Sequence, residues 1–281
     1  MNSVFLILIH SNSIQLRRLI NRLNSDNTII FLHLDLKIEI SLFNEYQNLP
    51  NVFFIKNRVK VNWGSYSMVQ CVVNSFKEII PKFKTDQYVS IISGQDYPLM
   101  TNKEMNLFLS LNQGKAFMEF YPIYNDWEEA IPRLEKYHLT NYSFPGNTLF
   151  ESILNSCLPK RKLPSELTYV GRSQWFTITI EHIAYIVHFL EKHPHIKRFF
   201  ELTWGSDEIV FQTILYSSIY KGQMINNNLR YIDWSLGGAS PKILTVDDVD
   251  KISNSGKFFA RKFDANFDSE ILDWIDTNLL T

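Results

Sequence analysis

Four apolar runs, Val4 to Ile9, Thr28 to Leu34, Val52 to Ile55 and Gln87 to Ile92, punctuate the first hundred residues. Runs this continuous read as strands buried on both faces. Between them lie stretches of helical period, Ile14 to Asn24 with Leu16, Leu19, Ile20 and Leu23 on one side, and Ser67 to Ile80. Asn102 to Leu111 repeats that pattern after the fourth strand. Parallel neighbours need a long crossover between them, so this alternation predicts an α/β fold with a mostly parallel central sheet flanked by helices. With 45% hydrophobic residues in 281, there is ample material for the core that such a sheet needs.

A ligand of such a sheet lies beyond the carboxyl ends of its strands. Those ends carry His10-Ser11, His33 and Asp35, Asn62-Trp63, and Ser93 to Asp96. No G-x-G-x-x-G or Walker-type loop follows a strand, which speaks against nicotinamide and NTPase chemistry. A net charge of -1 gives no field for nucleic acid. The cysteines Cys71 and Cys157 lack metal-like spacing and read as reduced core thiols. Only six apolar residues follow Met1-Asn2-Ser3, too few for a signal peptide or a membrane span. The expected address is cytoplasmic, with at most peripheral contact at an inner membrane.

The second half is less regular. Phe117 to Tyr121 and Asn228 to Trp234 read as strands. Asp126 to Leu139, Glu181 to Leu190, His195 to Leu202, Asp207 to Tyr220, Val246 to Ile252 and Asp268 to Leu279 read as helices. Asn141 to Leu163 reads as irregular, closing on Lys160-Arg161-Lys162. No linker or repeat interrupts the chain. One domain over 1–281 is expected, with a nucleotide-binding βα half (1–111) and a variable acceptor and catalytic half (112–281).

The stretch Thr203 to Thr213 reads as a strained turn entering a helix. Gly205 permits the turn, Ser206 or Asp207 suits an N-cap, and the two acids suit the helix dipole. The same stretch also offers a carboxylate, Asp207 or Glu208, beside Trp204, placed to take a proton from a hydroxyl. His33 and Asp35 form a pair able to ligate a divalent metal weakly, or Asp35 contacts a nucleoside or caps the next loop. Asp247, Asp248 and Asp250 follow Thr245 as a helix's first turn would. His182, His188, His193 and His195 match no zinc spacing and read as a solvated helix face. Lys242, after Gly237-Gly238, and Arg261-Lys262, flanked by aromatics, are cations able to meet a diphosphate.

The segments ILIHSNSIQLRRLINRL, FLHLD, VNWGSYSMV, YVSIISGQDYPLMTN, GRSQWFTIT, WGSDEIVFQTIL, GGASPKILT and FFARKFD occur in this order from about residue 4 to residue 264. As an ordered set they resemble the core-2/I-branching β-1,6-N-acetylglucosaminyltransferase family, glycosyltransferase family 14, which includes the peptide O-xylosyltransferases. The resemblance implies a GT-A-like fold and inverting transfer of N-acetylglucosamine or xylose from a UDP-sugar, with no metal cofactor. The acceptor would be a hydroxyl of a glycan or glycolipid. By motif position Glu208 is the base, and Lys262, with Lys242, meets the diphosphate. His10, Asp35, Trp63 and Arg261 complete the donor site; Asp96, Glu119, Arg133, Ser173, Gln174 and Trp175 fall on the substrate side. Gln174 stands where xylosyltransferases carry an acid, which argues against a peptide serine as acceptor. Neither the membrane anchor nor the disulfide framework of the animal enzymes is expected here, and a cytoplasmic bacterial relative is the expectation. The rival expectations are a metal-dependent transferase using His33 and Asp35, a glycoside hydrolase, and a non-catalytic carbohydrate-binding protein.

Overall fold

The structure is a computed structural model that describes residues 3–11, 13–142 and 144–280. Of the motif residues quoted above, Asn12 lies outside this description, as do Met1 and Asn2. The first half follows the expected order: β1 (Ser3–Ile9), α1 (Ile14–Leu23), β2 (Thr28–Leu34), β3 (Val52–Phe54), α2 (Tyr66–Ile79), β4 (Tyr88–Ser93), β5 (Tyr97–Pro98) and α3 (Asn102–Leu111). The second half contains β6 (Ala116–Pro122), α4 (Ile123–Asp126), α5 (Ile131–Glu135), α6 (Asn147–Cys157), β7 (Val170–Thr179), α7 (Ile180–Lys192), α8 (Pro194–Glu201) and α9 (Val210–Tyr216). It closes with β8 (Met224–Asn226), β9 (Arg230–Ile232), α10 (Val249–Ser253), β10 (Phe259–Arg261) and α11 (Glu270–Asn278).

Seven strands form one sheet in the order β3-β2-β1-β4-β7-β6-β8, and β5-β10-β9 form a smaller one. Pairing is parallel from β3 to β4; β7 alone runs against its neighbours β4 and β6. This is the mostly parallel, helix-flanked architecture expected of a GT-A-like chain. Alternation along β1 divides the core: Val4 and Leu6 pack on one face with Phe76, Phe176 and Phe211, while Phe5 and Ile7 pack on the other with Leu19 and Phe259. Ser13 caps α1 by accepting the Leu16 N–H at 3.1 Å, and Leu16, Leu19, Ile20 and Leu23 are buried as its pattern demands.

Four expectations need correcting. No strand was expected over 170–179, yet β7 is a ten-residue strand between β4 and β6. Gly171, Arg172 and Gln174, which serve the cleft described below, break the apolar run that would have marked it. The interval Asn141 to Leu163 contains the eleven-residue helix α6. The expected helix over Asp126 to Leu139 shrinks to short turns, with Pro132 inside α5. Cys71 is buried, but Cys157, expected in the core, is exposed at the end of α6. Among the described residues, no helix is long and apolar enough to cross a membrane.

Candidate functional site

A cleft of about 1020 Å³ opens beyond the carboxyl ends of β1 and β2, with β7 beneath it. It gathers His10, Asp35 and Trp63 from the parallel half with Glu119, Arg133 and Ser173 from the second. Gln174, Trp175, Glu208, Arg261 and Lys262 line the same cleft. Lys242 and Asp96 are not part of it.

The Glu208 end is built on close backbone contacts. Gly205 has φ +64°, the left-handed region that favours glycine, and its N–H donates to the Gly64 carbonyl at 2.8 Å. Gly171 of β7 passes directly under the turn: a Cβ there would lie 2.3 Å from the Glu208 carbonyl oxygen and 2.9 Å from the Ile209 Cα. The turn Ser206–Glu208 is a single 3-10 turn, and Ile209 separates it from α9. Neither Ser206 nor Asp207 therefore caps the helix as expected; Ile209 occupies the cap position of α9 and Gly205 that of the 3-10 turn, and Ser206 Oγ and Asp207 Oδ1 are buried without hydrogen-bond partners. Burial, with the Glu208 charge beside it, pushes the Asp207 carboxyl well above the usual carboxylate range. Asp207 is enclosed, whereas the Glu208 side chain is 32% exposed and faces the cleft.

Arg133 holds that carboxylate. Its Nη1 lies 2.6 Å from Glu208 Oε2, and its guanidinium sits 4.4 Å from the Trp204 ring centroid and 4.9 Å from that of Trp127. Trp63 meets Trp204 edge to face at 5.5 Å. Arg133 lines the cleft as expected, but its charge is committed to Glu208, so it acts on that acid rather than on substrate alone.

Another part of the lining is cationic. Arg261 stacks 4.3 Å over Trp175, and its Nε stands 3.7 Å from Asp96 Oδ1, too far for a hydrogen bond. Arg230, missed from the sequence, is buried close by and donates to Thr177 Oγ1 at 2.7 Å and to the Ile91 carbonyl at 3.0 Å. Burial pulls both guanidiniums below their ordinary value, Asp96 opposing the shift. Two arginines against one buried carboxylate give this floor a positive character suited to an anion. Lys262 stands at the cleft wall, where enclosure first, then the Lys262 charge, lowers the His10 imidazole.

Two site expectations are not met. Asp96 is fully buried; its Oδ2 accepts the Ser93 N–H at 2.7 Å and the Ser93 hydroxyl, fixing the turn after β4 instead of touching substrate. Lys242 points to Asp248, 2.7 and 2.8 Å from its two oxygens, and does not reach the cleft. Asp248 also accepts the Thr245 N–H at 3.1 Å, so this acid belongs to a helix start, as expected, and captures the lysine.

Asp35 and His33 are turned toward backbone. Asp35 Oδ1 accepts the Lys37 N–H at 2.9 Å and faces the Val61 N–H at 3.4 Å. His33 Nε2 accepts the Val59 N–H at 3.2 Å, and burial pulls the imidazole down to about 4. A ring nitrogen spent on an amide does not ligate a metal, which weakens the His33/Asp35 metal reading.

Of the residues expected on the substrate side, Glu119 and Ser173 share Asn228, whose Nδ2 donates to Glu119 Oε2 at 3.0 Å and to Ser173 Oγ at 3.3 Å. Burial raises the Glu119 carboxyl. Arg172, Glu129, Trp127 and Lys257 also line the cleft and were not anticipated. Arg172 and Glu129 pair at 2.9 Å across 43 residues, a contact that no local spacing reveals.

Comparison with known proteins identifies the family. The family model described as Core-2/I-Branching enzyme matches residues 3–254, so Arg261 and Lys262 lie beyond the match. Xylosyltransferase 2 of Mus musculus is 26% identical over 305 residues, and that of Homo sapiens 24% over 304; both alignments cover 98% of this chain and 33% of the relative. Xylosyltransferase 1 of Rattus norvegicus is 23% identical over 304 residues, covering 98% of this chain and 35% of the relative. The chain thus spans about a third of the length of these curated relatives.

Proposed function

The chain belongs to the Core-2/I-Branching enzyme family, and on that premise we propose that it is an inverting, metal-independent glycosyltransferase. It moves a sugar, N-acetylglucosamine or xylose, from a UDP-sugar to a hydroxyl of a glycan or glycolipid. The observation that carries this reading is one cleft holding a partly exposed acid, Glu208, together with a cationic wall, Arg261 and Lys262.

In this reading the acceptor oxygen attacks the anomeric carbon as the bond to the β-phosphate oxygen breaks. The hydroxyl proton passes to Glu208, and the electron pair leaves on UDP. The centre gains positive character at the sugar and negative charge at the phosphate, as in other glycosyl transfers. Arg133, caged by two indoles, holds Glu208 in the attack geometry. Lys262 and Arg261 meet the charge growing on the diphosphate, the task a metal performs elsewhere. Asp35, Trp63 and His10 hold the nucleoside end, so the donor draws on residues 1–111 together with cations from the second half. Glu119, Ser173, Gln174 and Trp175 face the acceptor.

Turnover of a UDP-sugar panel, followed as UDP release onto glycan acceptors, tests the reaction. Activity unchanged by EDTA is expected; activity that vanishes in EDTA and returns with Mn²⁺ rejects metal independence. Lys262→Ala should weaken UDP binding by about tenfold to a hundredfold, the scale of a charge-assisted contact, and unchanged affinity in calorimetry rejects its role.

One observation favours a second reading. Glu119, with its raised carboxyl, shares the cleft with Glu208, the acid and base pairing of a glycoside hydrolase. Sugar release from glycans without any nucleotide donor would select it.

A further inference from the structure

The helix α6 is built inside out. Asn147, Glu151 and Asn155, four residues apart, lie on one face and point inward. Asn147 Nδ2 donates to the Leu139 carbonyl at 3.2 Å, and Glu151 Oε2 accepts the Leu139 N–H at 2.7 Å. Asn155 exchanges hydrogen bonds of 2.8 Å with the Tyr137 N–H and carbonyl. The opposite face carries Leu149, Phe150 and Ile153, exposed by 67%, 48% and 49%. No residue of this helix is buried. A surface helix ordinarily turns its apolar stripe to the core and its polar stripe to water; here the polar stripe does the docking. Phe144, 44% exposed, meets Phe150 edge to face at 6.1 Å and extends the apolar surface, as do exposed Tyr142 and Leu158.

The charge around this surface selects its occupant. From Lys136 to Lys162 the chain carries Lys136, Lys160, Arg161 and Lys162 against the single acid Glu151, in a protein of net charge -1. Lys136, Lys160 and Lys162 are exposed, and Lys160 reaches back to Glu135 at the end of α5. An apolar strip bordered by lysines, on a helix lying along the surface, fits the headgroup boundary of an anionic bilayer.

We infer that the face formed by Tyr142, Phe144, Leu149, Phe150 and Ile153, with Lys160 and Lys162 at its edge, docks on an anionic lipid surface. The segment follows α5, which carries Arg133 of the cleft lining. Docking would suit a lipid-linked acceptor, but it needs neither donor nor turnover and stands apart from the proposed reaction.

Co-sedimentation of the full chain with phosphatidylcholine vesicles, with and without phosphatidylglycerol, reads it directly. Binding to the phosphatidylglycerol vesicles is expected, weakened by salt, and at least about tenfold weaker in Leu149→Ser/Ile153→Ser. These side chains are exposed, so the variant should keep the wild-type Tm. Lys160→Glu/Lys162→Glu should lose the phosphatidylglycerol dependence by itself. Absence of pelleting, equal pelleting of the variants, or a dimer in light scattering that disperses in Leu149→Ser/Ile153→Ser would each overturn the inference, the last by assigning the face to a second copy.

Discussion

Glu208→Gln is expected to cut sugar transfer by about a hundredfold to ten-thousandfold, the range a positioned general base supplies, while leaving UDP bound. Glutamine keeps the shape of the side chain but has no basic oxygen to accept the acceptor's proton. The rest of the turn does not depend on that charge: Gly205 is tied to Gly64, and Arg133 keeps its seat between Trp127 and Trp204. The loss should therefore appear in kcat, with a near-native Tm. Asp207 cannot take over. It is enclosed, and its raised carboxyl gives up its proton reluctantly. A Glu208→Gln protein turning over at the wild-type rate would leave the cleft without its assigned base.

Gly171→Ala is expected to be as damaging, for a purely steric reason. The added methyl would stand 2.3 Å from the Glu208 carbonyl oxygen and 2.9 Å from the Ile209 Cα, both backbone, and 3.1 Å from Trp127. A central strand held on both sides by β4 and β6 has little freedom to retreat. Overpacking of this kind costs about 1–3 kcal/mol, and a shift of Glu208 by about 1 Å suffices to cost a hundredfold in rate. Gly222→Ala is the matched control, since no atom lies within 4 Å of its added methyl. Thermal melts and kcat of the two variants should diverge; equal behaviour would show that the turn does not rest on β7.

The parallel half of the fold was legible because its strands are covered on both faces. Burial of that kind leaves uninterrupted apolar runs, as in Val4 to Ile9 and Thr28 to Leu34. β7 was hidden because its cleft-facing positions, Arg172 and Gln174, are polar, and Gly171 is there for backbone clearance. The helix α6 escaped because its apolar residues face outward, and the sequence around it offers proline and glycine in place of a capping side chain. In the site, Glu208 stood out through its glycine turn, yet the same letters described a helix cap equally well. Only Ile209, whose φ of -124° separates the turn from α9, decides against the cap. Lys242 misled because nothing local says that Asp248 will hold it, and Asp96 because a strand-end acid looks alike whether it meets ligand or its own turn. Arg133 was placed on the substrate side by motif position, but its hold on Glu208 needed the tertiary structure: that partner is 75 residues away.

The division of labour across the cleft is tested most directly by titrating UDP calorimetrically into the wild type, Glu208→Gln and Lys262→Ala. If Glu208 serves only as the base and Lys262 meets the diphosphate, Glu208→Gln keeps the wild-type affinity and Lys262→Ala loses it. Equal loss in both variants, or no change in Lys262→Ala, would contradict that arrangement.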